Sequence, residues 1–298
     1  MYNSLITSCF WGATVLCAFP LDVTNTERVL TKAATGGVTI YHLTPSMISI
    51  LTFIGKRIQT PLPKPRWIIC GTAALNIKEK TLFEKLFNVS ITQQYGMTEV
   101  LLITVNDDKQ EEKPLSVGRA VGCEVIIADD VGNTLPTGRH GNICIKSPSA
   151  FGSYFNQPSE TAATYKGNCF WTGDIGSLDA EGYLTISGRS KDLIKKGGYN
   201  INPNEIDSVV GSIPGIIDSA TIGVADPLYG EEVYTFVVEK KPIPEELLIA
   251  ECKKLLPLSH IPKNIFTIDL LPRTSSGKIR RESLKTLVMR ENSKSKPS

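Results

Sequence analysis

Along the first 110 residues, short apolar runs alternate with stretches whose apolar positions recur every three or four residues. VTIYHL (38–43), WIICGT (67–72) and VSITQQYG (89–96) have the length and β-branched content of strands. NTERVLTKAAT (25–35), PSMISILTFIGKRI (45–58) and IKEKTLFEKLF (77–87) have helical periodicity. Strands that alternate with helices predict a parallel sheet covered by helices. SLITSCFWGATVLCAFPL (4–21) is apolar throughout but has no basic n-region, and Ser, Thr and Cys interrupt it. It reads as a buried helix and strand, with GATVLCAF as an apolar run. A signal peptide or lipoprotein anchor is the alternative.

The pattern changes after PLSVGRAVG (114–122). CEVIIADDVGNTLPTGRHGNICIKS (123–147) holds two apolar runs joined by Asp, Gly, Asn and Pro, which predicts a β-hairpin. GYLTISGRSKDLIKKGGYNI (182–201) continues in that style. A helix is predicted from Asn202, with Asn202 as N-cap, Pro203 at the first helical position and Glu205 where a capping-box acid reaches back. The order that follows is a strand pair (SATIGVAD and EVYTFVVEK), a helix (PEELLIAECKKLL), a strand (NIFTIDL), a turn and a last helix. The predicted fold is an α/β region with a β-rich part behind it, followed by a small α+β domain. The boundary falls near Arg189 to Asp192.

Composition narrows the function classes. The chain has 298 residues, long enough for two domains with substantial cores. Its 32 basic and 30 acidic residues leave a net charge of +2, which gives no footprint for nucleic acid. No segment besides the N-terminal run has the length and purity of a membrane span. The seven cysteines show no C-x-x-C spacing, so they predict neither a zinc site nor a disulfide scaffold. They read as small buried hydrophobes of a reducing, cytoplasmic compartment. The histidines at 42, 140 and 260 suggest no catalytic dyad by spacing.

Three stretches hold candidate chemistry. RTSSGKIRRESLK (273–285) sets Lys278 on a hydroxyl-rich, glycine-backed turn. It lacks the first glycine and the final Ser/Thr of a P-loop. Its ammonium either is ordinary solvated surface or stabilises negative charge on a phosphate or carboxylate. QQYGMTEV (93–100) carries Thr98, a donor suited to phosphate, and Glu99, an oxygen ligand suited to Mg²⁺. A Thr-Glu pair after a turn is equally a common helix start. In the segment 171–206, Gly173 permits a turn at Asp174, whose carboxylate suits a vicinal diol, and Arg189 offers a planar fork to reinforce it. Gly197-Gly198 marks a hairpin tip.

Taken together and in order, YGMTE, the TGD turn, GRSKDLIKKGGYNINPNEI and the SSGK loop resemble the motifs of the adenylate-forming superfamily. GTAAL (71–75) is similar to that family's small-residue stretch beside adenine and acyl group. The resemblance extends from about residue 10 nearly to the end. It implies a truncated large domain over 1–190, with a parallel α/β sheet to about residue 114 and a β-barrel-like subdomain over 115–190. A small mobile C-terminal domain over 191–298 would follow. It also implies ATP-dependent activation of a carboxylic acid (fatty, aryl or malonate-like) to an acyl-adenylate, then transfer to a thiol after the small domain swings about a hinge. The implied ligands are ATP or AMP, Mg²⁺ and coenzyme A. Residue by residue, Lys278 would bridge the acid and the α-phosphate, Thr98 would bind phosphate and Glu99 would bind Mg²⁺. Asp174 and Arg189 would hold the ribose, and Gly71, Thr72, Gln93, Gln94 and Tyr95 would border adenine and acyl group. Lys191 would be the hinge, Gly198 would line the thiol tunnel, and Lys195 and Asn200 would lie near the nucleotide. The hinge phrase resembles that of CoA ligases more than that of domains that load carrier proteins.

The sequence departs from the family at one place. No Ser/Thr/Gly-rich loop ending in lysine, of the kind that grips the ATP β- and γ-phosphates, precedes these motifs. Three readings follow: a piece of a full acyl-CoA synthetase, half of a split enzyme whose N-terminal half another chain supplies, or a shortened paralogue that binds nucleotide with little turnover. An unpaired sheet edge in such a chain also predicts self-association.

Overall fold

The computed structural model describes residues 8–17, 21, 24–58, 65–73, 75–106, 109, 111–274 and 278–294. They fall into two compact units, residues 1–172 with 177–186, and residues 173–176 with 187–298.

The first unit begins with the predicted alternation. Helix α1 (Thr26–Thr35) is followed by β1 (Ile40–Leu43), α2 (Pro45–Ile58), β2 (Trp67–Cys70), α3 (Ile77–Phe87) and β3 (Ile91–Met97). The helices start where local chemistry dictates. Thr44 Oγ1 accepts from the Met47 amide at 3.3 Å, and Asn76 Oδ1 accepts from the Lys78 amide at 2.8 Å. Asn88 ends α3 in the left-handed region, φ 53°. β1, β2 and β3 are parallel, with Leu43 opposite Cys70 and Cys70 opposite Gln93. Ile48, Leu51, Ile68, Cys70, Phe83 and Ile91 form the core between strands and helices.

The parallel pattern stops at β3. Residues 98–100 form a turn, and β4 (Leu101–Asn106) returns antiparallel to it. A short β5 (Arg119–Ala120) completes the order β1-β2-β3-β4-β5. Thr98-Glu99 therefore opens a strand, where a helix start was the alternative. Gly96 makes the reversal feasible, since a Cβ there would lie 2.3 Å from the Leu101 carbonyl oxygen. The apolar N-terminal run also differs from expectation. Residues 8–10 form a helical turn and 13–17 no regular element, with Phe10 and Trp11 exposed. Among the described residues both stay mostly uncovered, so apolar character alone does not bury them.

The β-rich part contains β6 (Glu124–Ala128), β7 (Gly141–Lys146), α4 (Pro158–Thr164), β8 (Tyr165–Lys166), β9 (Cys169–Leu178) and β10 (Leu184–Arg189). These strands are ordered β10-β9-β7-β6, with β8 on β9. Asp129 builds the turn after β6, its Oδ1 accepting from the amides of Val131, Gly132 and Asn133 at 3.0, 2.8 and 2.8 Å. Val100, Ile103, Ile127, Ile143, Ile145, Phe170 and Leu184 form the core here.

The second unit is a compact α+β fold. It contains β11 (Ile194–Lys196), β12 (Tyr199–Ile201), α5 (Pro203–Val210), β13 (Ile216–Asp226), β14 (Gly230–Glu239), α6 (Glu245–Leu255), β15 (Asn264–Thr267) and α7 (Arg281–Lys294). Asn202 caps α5 by accepting from the Asn204 amide at 3.1 Å, with Pro203 at the first position. Glu205 does not close a capping box; its carboxylate faces His260 Nε2 at 3.8 Å. β14 is covered on both faces. Val233 and Val237 join a cluster with Ile206, Val210 and Leu248, while Tyr234 and Phe236 join one with Leu284 and Val288. The two-residue alternation of β14 thus separates α5 and α6 from α7. Among the described residues no helix is long and apolar enough to cross a membrane.

Candidate functional site

Three parallel strands direct their carboxyl ends to one edge of the first sheet, the place where open α/β sheets bind ligands. β2 runs there into Gly71 and Thr72. Thr72 holds φ 77°, an outlier for a β-branched residue of the kind that clusters at functional sites. Gly71 is buried under Gln94, and a Cβ on it would lie 3.0 Å from Gln94 Cγ. Gln93 takes the other face of β3, where its Nε2 donates to the carbonyls of Pro114 and Ser116 at 2.8 and 3.0 Å. Its amide is thus engaged in holding the 113–118 loop. Tyr95 is half-buried and packs on the Ile103 cluster.

Thr98 stands exposed in the β3–β4 turn. Glu99 is half-buried, and its Oε1 accepts from the Tyr154 hydroxyl at 2.9 Å. Its carbonyl also accepts from the Phe151 amide at 2.7 Å. Burial, and then the neighbouring Glu99 carboxylate, push the Tyr154 phenol above its ordinary value, so it remains a donor. Sequence reasoning missed Tyr154. It lies 55 positions from Glu99, in a loop with no periodic signal.

The rest of the predicted site residues belong to the second unit. Asp174 is buried and its Oδ1 accepts from Arg189 Nε at 3.1 Å. Asp174 lies within β9 rather than in a separate turn. The deflection comes from Gly173, φ 73°, whose carbonyl accepts from Ser190 Oγ at 3.1 Å. Lys191 is exposed in a single 3₁₀ turn, Ser190–Asp192. Gly197 and Gly198, φ 56° and 85°, make the two-residue turn between β11 and β12. Two positive φ values in succession are what a type I′ turn requires. That register sets Lys195 opposite Asn200, both exposed, and the Lys195 amide donates to Glu231 Oε2 at 2.7 Å.

Lys278 is exposed, and its ammonium makes no ion pair among the described residues. Its backbone is fixed nonetheless. The Thr274 amide donates to the Lys278 carbonyl at 2.8 Å, and the Lys278 amide donates to Thr274 Oγ1 at 3.1 Å. Arg273 and Ile279 form a β-bridge outside this pair. The arrangement presents a cation on backbone that is tied to Thr274.

Among the described residues no group of three or more His, Cys, Asp or Glu side chains could hold a metal ion. Glu99 is a single carboxylate, which suits Mg²⁺ shared with substrate phosphates and water rather than an all-protein cage.

Comparison with known proteins brings these features under one description. The model of the AMP-binding enzyme family matches residues 1–155, and that of the AMP-binding enzyme C-terminal domain matches residues 205–278. The chain is 36% identical over 228 residues to an oxalate–CoA ligase of Arabidopsis thaliana, covering 75% of this chain and 44% of that protein. It is similar to the crystal structure of ATP-bound MatB from Rhodopseudomonas palustris, with TM-score 0.88 and 27% identity, covering 96% of this chain and 58% of the other. It is also similar to o-succinylbenzoate CoA synthetase of Bacillus subtilis in complex with an acyl-adenylate intermediate. There the TM-score is 0.83 and the identity 30%, covering 95% of this chain and 57% of the other. The chain thus spans about half the length of the proteins it matches.

Proposed function

The chain belongs to the AMP-binding enzyme family, the adenylate-forming superfamily, on its acyl-CoA ligase branch, and from that premise we propose that it serves AMP-forming ligation of a carboxylic acid to coenzyme A. In the first half-reaction the carboxylate oxygen attacks the α-phosphorus of ATP, the bond to the bridging oxygen breaks, and pyrophosphate leaves. In the second, the CoA sulfur attacks the acyl carbonyl, AMP leaves, and the thiol proton passes to solvent. The observation that carries the reading is Lys278, an ammonium with no ion-pair partner among the described residues, its backbone tied to Thr274 in the unit that also contains the Asp174–Arg189 pair.

In this reading Lys278 stabilises the charge that develops between carboxylate and α-phosphate during adenylation. Asp174 accepts from the ribose hydroxyls, and Arg189 fixes the direction of that carboxylate. Thr98 donates to phosphate. Glu99, oriented by Tyr154, holds Mg²⁺, which neutralises phosphate charge when bound. Gly71, Thr72, Gln94 and Tyr95 border adenine and acyl group, and Gln93 holds the adjacent loop. Lys191 is the hinge about which residues 191–298 alternate between the half-reactions. Lys195 and Asn200 lie near the nucleotide, and Gly198 lines the path of the thiol. The scattered unpaired cysteines support a cytoplasmic setting.

The test is acid-dependent pyrophosphate release from Mg·ATP with CoA and a panel of carboxylic acids, with Lys278→Ala as control. Release that requires an acid and is lost in the variant supports the ligase. A second reading is favoured by the share of the relatives that the chain spans, 44% in the oxalate–CoA ligase. It is a nucleotide-binding portion that turns over only when the remaining half is supplied. AMP binding without release, with activity restored by an added N-terminal half, would establish that reading.

A further inference from the structure

Arg281 opens α7 three residues after Lys278, and its guanidinium is only 19% exposed. Nη2 donates to Asn204 Oδ1 at 2.8 Å and to Asp207 Oδ2 at 2.9 Å, and Nε donates to the Thr221 carbonyl at 3.1 Å. On the other side of the turn, Arg273 is paired with Asp218. Both flanks of the Lys278 turn are thus tied to α5 and β13.

Asn204 also reaches further. Its Nδ2 donates to the Ser187 carbonyl at 2.9 Å, and Asn202 Nδ2 donates to the same oxygen at 2.9 Å. Ser187 stands in β10 two residues before Arg189, whose Nε holds Asp174. A connected path therefore runs from Lys278 through Arg281, Asn204 and Ser187 to Arg189 and Asp174, all within the second unit. The Asn204 amide sits at its centre and uses both of its ends, the oxygen toward Arg281 and the nitrogen toward Ser187.

We propose that Arg281 and Asn204 are positioning residues that fix the register of the Lys278 turn against the Asp174–Arg189 pair. The proposal rests on the role given to Lys278 above. An ammonium on four rotatable bonds aims only as well as its backbone is held, and a displacement of about 1 Å costs on the order of 100-fold in rate. A planar guanidinium fixed from two elements supplies direction that a lysine in its place would not. An aspartate at 204 would keep the acceptor for Arg281 but lose the donor to Ser187, so it separates the relay from simple anchoring of Arg281.

The experiment uses the full chain with Asn204→Ala, Asn204→Asp, Arg281→Lys and Lys278→Ala. It measures adenylation, thiolysis of a supplied acyl-adenylate, and hydrogen exchange of the peptides that carry residues 187–191 and 278–280. Both Asn204 variants and Arg281→Lys are expected to lower kcat for adenylation about tenfold. KM for ATP and the thiolysis rate should stay within about twofold, since Lys278 acts only on the adenylation transition state. Exchange should quicken in both peptides together. Asn204→Asp with wild-type adenylation while Lys278→Ala is inactive overturns the relay and leaves the role of Lys278 standing. If Lys278→Ala keeps adenylation, or wild type shows none, the functional reading fails and exchange alone decides the register. Coupled loosening of the two peptides then supports it, and loosening of one or neither overturns it.

Discussion

At the scale of the residue, Lys278 makes the sharpest prediction. Its side chain is exposed and makes no ion pair among the described residues, so Lys278→Ala should leave the melting temperature unchanged. Adenylation should fall at least about 100-fold, as for loss of a preorganised charge, while thiolysis of a supplied adenylate persists. Equal loss of both half-reactions would count against the assignment. Asp207 makes a second prediction. Burial pushes its carboxyl up to about 7 against the opposing pull of Arg281, and its Oδ1 lacks a partner of normal geometry. Between about pH 4 and pH 7 the folded chain therefore holds a proton that the unfolded chain has released. Stability should fall as pH rises through that window and level off above it, by on the order of 4 kcal/mol in all. Denaturant unfolding at pH 5, 6, 7 and 8 reads this directly, and Asp207→Asn should flatten the profile. A wild-type stability that rises over the same range would exclude the assignment. Asn202 was legible because its signal is local, a helix cap. Tyr154 and Arg281 were not, because each works through a partner more than 50 positions away.

At the scale of the element, the helices at 26–35, 45–58 and 77–87 and the strands of the second unit follow the sequence pattern, since periodicity and caps agree there. β4 was missed because the Thr-Glu pair after Gly96 reads equally as a helix start and LLITVN alone does not show which way the chain turns, and the N-terminal run was misjudged because burial needs a partner surface. Glycine geometry gives two tests. In the β3–β4 hairpin, a methyl at Gly96 would meet the Leu101 carbonyl oxygen at 2.3 Å. Gly96→Ala should cost about 2 kcal/mol and weaken AMP binding, because the hairpin tip carries Thr98 and Glu99. Calorimetry of both properties checks it, and a variant as stable as wild type would show that the strands can separate freely. In the β11–β12 turn, a Cβ at Gly198 meets nothing within 4 Å, but φ 85° strains any other residue by about 1–2 kcal/mol. Gly198→Asn tolerates that φ best and controls for strain. Gly198→Leu should then slow thiolysis more than adenylation, and the reverse order would refute the tunnel role.

At the scale of the whole molecule, buried and exposed cysteines separate what a closed core protects from what the surface leaves open. Cys70, Cys144 and Cys252 are buried, with thiols pushed up to about 12, 11 and 11 chiefly by desolvation. The reading of the cysteines as buried hydrophobes holds for these three, while Cys9 and Cys17 are exposed beside the uncovered N-terminal run. Large apolar side chains are also exposed elsewhere on the first unit. Phe10 and Trp11 are 80% and 78% exposed, and Phe53 and Trp67 are 46% and 40% exposed. β1 stands at the end of its sheet order, so among the described residues no strand pairs with its outer edge. Exposed aromatics and an open strand edge each favour pairing with another chain. The chain by itself is therefore expected to self-associate at micromolar concentration, and light scattering should show a mass that rises with concentration. A mutation to Lys at Phe10 or Trp11, which are 80% and 78% exposed, should shift that rise to higher concentration, because a charge there opposes apolar association. A monodisperse monomer across the range would mean that the exposed aromatics and the β1 edge do not act as a surface for association.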